Sequence, residues 1–394
     1  MTEEFLGYQR PKDLVGIRNK IAILSSVVCV NHVAKQIAKK VENSVAITHP
    51  LGCGQFGTDF SYTVRTLAGL ASNPNVYGVV IVGLGCENLT SKLLARQVKK
   101  SKKPIEFFDV QDVNGGTKAA IEKGIGYGNK MSTEASELKR EPFDFSHLVL
   151  GLECGGSDSI SGITANPAVG IVSDKVVELG GNSILPEFTE WIGTEHLLMK
   201  RAISEKVSNE IHHPIKKFLE NTMKMGIDFR GIQPTPGNIK GGLTTIEEKS
   251  LGTIAKAGKA PIQGVLDYSI KPRRKGLWLM IEPGFDIESM TGLAAAGAQV
   301  IIMTTGRGSP CGNPVAPVIK VCGNYKTCDW MRINIDIDAS KIITENKAVQ
   351  DIAYTLWDKL KNTCNGDLTK AEILGFEDMA IWRVTGTFPF SLKY

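Results

Sequence analysis

In its first third the chain alternates short aliphatic, β-branched runs with stretches of helix length. KIAILSSVV (20–28), SVAIT (44–48), VYGVVIV (76–82) and IEFFD (105–109) read as buried strands, with helices expected near 32–40, 60–71 and 89–101. Such alternation implies an open, mostly parallel sheet with helices on both faces, a Rossmann-like α/β domain over 1–130. A further helix is expected over 117–124. The polar stretch 127–142 (YGNKMSTEASELKREP) reads as a linker.

With 394 residues the chain is too long for one core. A second α/β domain, the catalytic one, is expected over 143–394. It opens with a strand at 145–151 (FSHLVLG) and a helix near 167–180. Residues 193–226 read as mainly helical, with Pro214 expected to break or kink them. A Pro- and Gly-rich loop, 231–243 (GIQPTPGNIKGGL), follows and is long enough to be functional. LWLMIEP, ESMTGLAAAGAQ and VIIMTTGRGSP then read as strand, helix and strand with a Gly-rich turn, and the chain after Ala339 as helical.

The net charge of +5 has no long basic run, which argues against nucleic acid and suits a small anionic substrate. The basic stretch Lys271–Lys275 lacks interleaved aromatics and reads as a solvated loop. No apolar run approaches the roughly 18 residues of a membrane span, and MTEEFLGYQRPKD is not a signal peptide. The eight scattered cysteines are therefore expected as reduced thiols in a cytoplasm.

Three of these cysteines share one context. Cys53 in HPLGCG, Cys86 in GLGCE and Cys154 in GLECGG each sit beside glycine just past a strand and near the start of a helix. Open α/β sheets place their ligand crevice at those strand ends, and helix N-termini favour thiolate. Small buried hydrophobes at strand ends are the plain alternative, and Cys29 reads as one. Together Cys53, Cys86 and Cys154 are expected to form one metal site: three thiolates with an open fourth position suit an iron–sulfur cluster or a soft metal centre that binds substrate, with a mononuclear iron of mixed ligands, such as His49 or Glu87, as the other option.

Around Cys154 the small polar run continues. Backbone amides of Gly155 and Gly156 and the hydroxyls of Ser157 and Ser159 are expected to bind substrate, with Asp158 holding its hydroxyl groups. Thr305 and Arg307, in TTGRGS after a strand, fit the same pocket, with Arg307 suited to a bidentate carboxylate contact. Asn238 of the 231–243 loop joins the substrate-binding set. Glu247 and Glu248 are explained by helix capping. His196, among Glu187, Glu190 and Glu195, is the expected acid or base.

THPLGCG, VGLGCEN, ECGGSDSISGITANPAVG, GTEHLL, PGNIKGGLTTIEEKSLG, TGLAAAGAQVIIMTTGRGSP and PVIKV occur in this order. Between about Val45 and Val321 the chain thereby resembles the altronate/galactarate dehydratase family. The resemblance implies a lyase acting on sugar acids or related hydroxy acids, usually iron-dependent. The same family includes the large subunit of sulfolactate sulfo-lyase, which expels sulfite. Members often carry a small SAF-type domain before this region. Here the first α/β strand comes almost at once, so a separate small SAF-type subunit is expected, as is a homo-oligomer.

The run after Met331 departs from the family. Arg332-Ile333-Asn334-Ile335-Asp336-Ile337-Asp338 stands where a DDMDIN-like sequence is expected, which keeps sulfolactate in play beside altronate and galactarate. A non-catalytic ligand-binding subunit is the competing class, and the cysteine triad and polar turns argue against it. A nucleotide-dependent oxidoreductase is disfavoured, because SSVVCVNH replaces a GxGxxG turn.

Overall fold

A computed structural model describes residues 3–282 and 284–384. The first domain is built on a parallel sheet of four strands in the order Ser44–Ile47, Lys20–Ser25, Val76–Gly83, Ile105–Asp109. Ile21, Ile23, Val80 and Val82 face one helical layer, while Ala22, Leu24, Val79 and Ile81 face the other. The two central strands are thus apolar on both sides, as their unbroken aliphatic runs require.

A second parallel sheet has seven strands in the order Ile262–Leu266, Gly276–Met280, Asn182–Leu185, Val149–Cys154, Val300–Thr305, Val318–Cys322, Ile337–Asp338. Its central strand ends at Cys154. The helices Gly57–Ala71 of the first domain and Asp286–Ala295 of the second pack together. A Cβ on Gly69 would lie 2.5 Å from the Ala295 carbonyl oxygen, so only glycine permits that approach. One apolar cluster runs through this layer and joins the domains. No helix among the described residues is long and apolar enough to cross a membrane.

Three sequence expectations are corrected. The stretch 127–142 is not an irregular linker: the helix Gly116–Ser136 runs through most of it and the strand Glu141–Asp144 ends it. The helix buries Ala120, Gly124, Gly128, Met131 and Ala135, a stripe of mostly small residues hidden in polar company. A Cβ at Gly124 would meet Ile37 at 2.2 Å, and one at Gly128 would meet Val41 at 2.6 Å. Pro214 breaks nothing. It lies inside the helix Glu205–Lys224, where buried Val207, Ile211 and Ile215 anchor the turns on either side and offset its local cost of about 3 kcal/mol. Finally, Lys20–Ser25 is not the first strand: Glu4–Arg10 pairs antiparallel with Leu14–Gly16 and with Glu141–Asp144.

Candidate active site

The central strand Val149–Cys154 delivers Cys154 to the carboxyl edge of the larger sheet, where parallel α/β sheets bind ligands. The chain then turns tightly. Gly155 N–H donates to the Thr304 carbonyl at 3.1 Å, and the Gly156 carbonyl accepts from the amides of Gly306 (3.2 Å) and Arg307 (2.8 Å). A Cβ on Gly155 would fall 2.1 Å from Asp286 Oδ2, and Gly156 has φ +60°. Glycine is required at both positions.

This turn borders a cavity of about 230 Å³ lined by Cys154, Ser157, Asp158, Ser159, Ser161, Asn166, Lys249, Thr253, Thr304 and Thr305, among others. Asn166 donates to the Gly252 carbonyl at 2.8 Å, while its buried Oδ1 has no partner among the described residues. That oxygen is a ready acceptor for a ligand hydroxyl.

Below the cavity lies a buried charge cluster. Cys154 Sγ stands 3.4 Å from Glu187 Oε2 and 3.1 Å from Glu190 Oε2. Lys256 Nζ pairs with Glu187 at 3.2 Å, and Lys249 Nζ with Glu190 at 2.8 Å. Thr253 Oγ1 donates to Glu190 Oε2 at 2.5 Å. Lys249, Thr253 and Lys256 lie four and three residues apart, on one face of the helix Ile246–Ala255 and its C-cap.

Burial and the neighbouring Glu190 carboxylate push the Glu187 carboxyl up to about 7. Burial opposes ionisation of Glu190 as well, but the Lys249 and Lys256 ammonium groups outweigh it and hold that carboxyl below its usual range. Burial beside Glu187 and Glu190 drives the Cys154 thiol well up. Glu153 and Glu282, both fully buried, are driven well above the carboxylate range by desolvation and then by Glu187. Lys256, despite burial, is held above its ordinary value by Cys154 and Glu187. The cluster therefore keeps its lysines charged and one carboxyl, Glu187, poised near neutrality.

The residues expected from sequence divide between the cavity and its surroundings. Cys154, Ser157, Asp158, Ser159 and Thr305 line it; Gly155, Gly156, Asn238, His196 and Arg307 do not. Asp158 accepts from the amide (2.9 Å) and hydroxyl (2.6 Å) of Ser161 and from Asn324 Nδ2 (3.1 Å), so it also braces the turn. Asn238 caps its own short helix and donates to the Ser157 carbonyl at 3.1 Å. Arg307 is exposed and donates to the Gly237 carbonyl at 2.8 Å. His196 is exposed at the start of the helix Glu195–Met199. Asp336 bonds the amides of Lys320 (2.9 Å) and Lys370 (3.1 Å), so the run that departs from the family acts as a brace and does not line the cavity.

The cysteine triad is divided between the domains. Cys53 and Cys86 follow strands of the four-stranded sheet and are exposed, while Cys154 ends a strand of the seven-stranded sheet and is buried. The expectation that all three share one sheet edge is overturned. His49 and Glu87 are also engaged. His49 Nε2–H donates to the Ser25 carbonyl (2.9 Å) and its Nδ1 accepts from Leu51 N–H (3.1 Å). Glu87 accepts from Ser26 Oγ (2.5 Å), Leu84 N–H (3.1 Å) and Gly85 N–H (2.7 Å).

A model of the C-terminal part of D-galactarate/altronate dehydratases matches residues 145–387, and one of the second domain of D-galactarate dehydratase/altronate hydrolase matches 7–136. The chain belongs to the D-galactarate/altronate dehydratase family. It is 37% identical to (2R)-sulfolactate sulfo-lyase subunit beta of Chromohalobacter salexigens over 96% of this chain and 97% of that one. It is 33% identical to altronate dehydratase of Bacillus subtilis, covering 96% of this chain and 77% of the relative. Galactarate dehydratase (L-threo-forming) of Escherichia coli is 32% identical, with 92% and 73% covered.

The family resemblance implies iron, and the nearest donor set lies just below this cavity. Ligand atoms of Cys154, Glu187 and Glu190 lie within 4.8 Å of one another. Each carboxylate already carries a lysine, and a divalent ion between them would contact two ammonium groups. The set does not fit a mononuclear metal. Sequence reasoning noted Glu187 and Glu190 only as neighbours of His196, and missed Lys249 and Lys256. One signal was available: lysines seven apart that share a helix face with Thr253.

Proposed function

We propose that this chain is a lyase that removes the C2 proton and a β-leaving group from a small anionic 2-hydroxy acid in the Cys154 cavity. The observation that carries the reading is a hydroxyl-lined cavity at the central strand end with Lys249 in its wall and the poised Glu187 behind Cys154. Lys249, kept protonated by Glu190, offers a fixed positive charge to the substrate carboxylate and to the enolate that develops on it. Ser157, Ser159, Thr305 and the Asn166 carbonyl orient the substrate hydroxyls. Glu187, with Cys154 Sγ between it and the cavity, accepts the C2 proton by way of the thiol. The electron pair left at C2 forms the C2–C3 double bond as the C3 substituent departs. The resulting enol takes up a proton at C3, loses its hydroxyl proton and becomes a 2-oxo acid.

The first reading is dehydration of a sugar acid such as altronate or galactarate, in which the C3 hydroxyl leaves as water. The second is expulsion of sulfite from sulfolactate, which shares every step up to the leaving group. The 37% identity to the sulfo-lyase subunit along almost its full length favours it. That relative's designation as a subunit also supports a small SAF-type partner for this chain. The test is an anaerobic assay with altronate, galactarate and sulfolactate, run on the chain alone and with a co-expressed small subunit. A 2-oxo acid from one substrate is expected, accompanied by sulfite only from sulfolactate. No product from any of the three, with or without the partner, would defeat the reading.

A further inference from the structure

The fold gives Cys53 and Cys86 a companion that their shared sequence pattern did not indicate. Ser44–Ile47, Lys20–Ser25 and Val76–Gly83 are neighbours in the four-stranded sheet, and the loops leaving them carry Cys53, Cys29 and Cys86 in that order. All three thiols are exposed, whereas the other five cysteines are buried or half-buried. Cysteine is among the most buried residue types, so three exposed thiols on one sheet edge call for a reason.

The loops are bonded into one surface. Val28 N–H donates to the Leu51 carbonyl (3.0 Å), Leu89 N–H to the Gly52 carbonyl (3.3 Å), and Asn31 Nδ2 to the His49 carbonyl (2.8 Å). The buried Glu87 carboxylate ties the Cys86 loop to Ser26, three residues before Cys29. Gly52, at φ +105°, lies so close to the Cys29 loop that a Cβ there would fall 2.2 Å from the Ser26 carbonyl oxygen. Adjacent strands lie about 4.8 Å apart, so the outer two strand ends are roughly 10 Å apart and the three loops leave from one stretch of the sheet edge. Each loop also leads into a helix, Asn31–Ala38, Gly57–Ala71 or Ser91–Val98.

We propose that Cys29, Cys53 and Cys86 bind an iron–sulfur cluster. Three soft thiolates suit iron–sulfur chemistry. A single tetrahedral ion with bonds of about 2.3 Å would hold its sulfurs within roughly 4 Å of one another. Cys29, Cys53 and Cys86 do not form a group with all ligand atoms within 4.8 Å of one another among the described residues, which speaks against a lone ion. Held by three protein ligands, such a cluster would supply Lewis-acid chemistry toward an oxygen ligand. No residue of the Cys154 cavity takes part, so this site stands or falls separately from the elimination reading.

The test is anaerobic reconstitution of the full chain with ferrous iron and sulfide, followed by visible absorption and by iron and acid-labile sulfide analysis. Charge-transfer absorption with comparable iron and sulfide per chain is expected. Cys29→Ser, Cys53→Ser and Cys86→Ser should each lower bound iron at least about tenfold, while Cys154→Ser keeps it. Thermal unfolding of each variant, with Cys29→Ala as a second probe, checks that the fold survives. Iron without sulfide, no iron in the wild type, or full iron in folded Cys29→Ser and Cys29→Ala would overturn the proposal. So would an equal loss in folded Cys154→Ser.

Discussion

The two parallel sheets end in edges written in nearly the same sequence idiom, cysteine beside glycine after an aliphatic strand, yet they are built for opposite electrostatic conditions. The first edge faces outward: its thiols are exposed, and the polar groups beneath them are tied up by neutral or backbone partners. The second edge faces inward: Cys154 is buried against Glu187 and Glu190, and two lysines balance the carboxylates. What separates them is the helix Ile246–Ala255, which covers the second edge with Lys249, Thr253 and Lys256. A motif therefore specifies a position at a strand end, and the elements packed over that position decide its chemistry.

The largest stability effect should come from unbalancing the covered edge. Lys256→Met leaves Glu187 buried without its cation and should cost about 3–5 kcal/mol in urea unfolding. The double variant Lys256→Met/Glu187→Gln should recover much of that loss. Equal destabilisation in the single and double variants would remove the charge cluster from the comparison.

Acid should distinguish the edges next. Burial lowers the His49 pKa to about 4, against the opposing pull of the Ser25 carbonyl. The unfolded chain then binds a proton that the fold resists, so stability is full above about 6.5 and falls as pH drops towards 4, by up to about 3 kcal/mol. For Glu187, whose pKa is raised to about 7, the sign reverses: its contribution falls as pH rises from 4.5 to about 7. His49→Gln should abolish the acid-side loss, measured as unfolding free energy against pH. An unchanged slope in that variant would show that His49 is not its source.

A smaller effect is expected at the cavity rim. Ser157→Ala removes a hydroxyl from the wall together with its long 3.8 Å contact to Cys154 Sγ, and should raise KM about tenfold, equivalent to about 1.4 kcal/mol, with a smaller change in kcat. A fall in kcat at constant KM would instead place Ser157 in the chemical step. Smallest of all, Cys29→Ser in iron-free protein should shift stability by no more than about 0.5 kcal/mol, because the side chain is exposed.

Much of the fold was legible because strand apolarity is local: the four strands of the first domain fall within a few residues of their aliphatic runs. The helix through 127–136 was hidden because its packing uses glycine and alanine, which hydropathy does not mark. Within the site, Cys154, Ser157, Asp158, Ser159 and Thr305 were readable from one dense polar run and one turn. The lysines and Glu187 were not, since they reach the Cys154 cluster from two other segments and only the tertiary fold buries them. His196 drew notice by chemistry alone, and its exposed position is set by packing that the sequence does not display.

The most direct test of the elimination site is the pH profile of kcat/KM for Glu187→Gln beside the wild type, on whichever of the three substrates is turned over. The wild type should gain rate as pH rises through about 7, where Glu187 loses its proton. The folded variant should lose about 10²–10⁴-fold in kcat/KM together with that limb. A variant that keeps both the rate and the limb would place proton removal elsewhere and contradict the account.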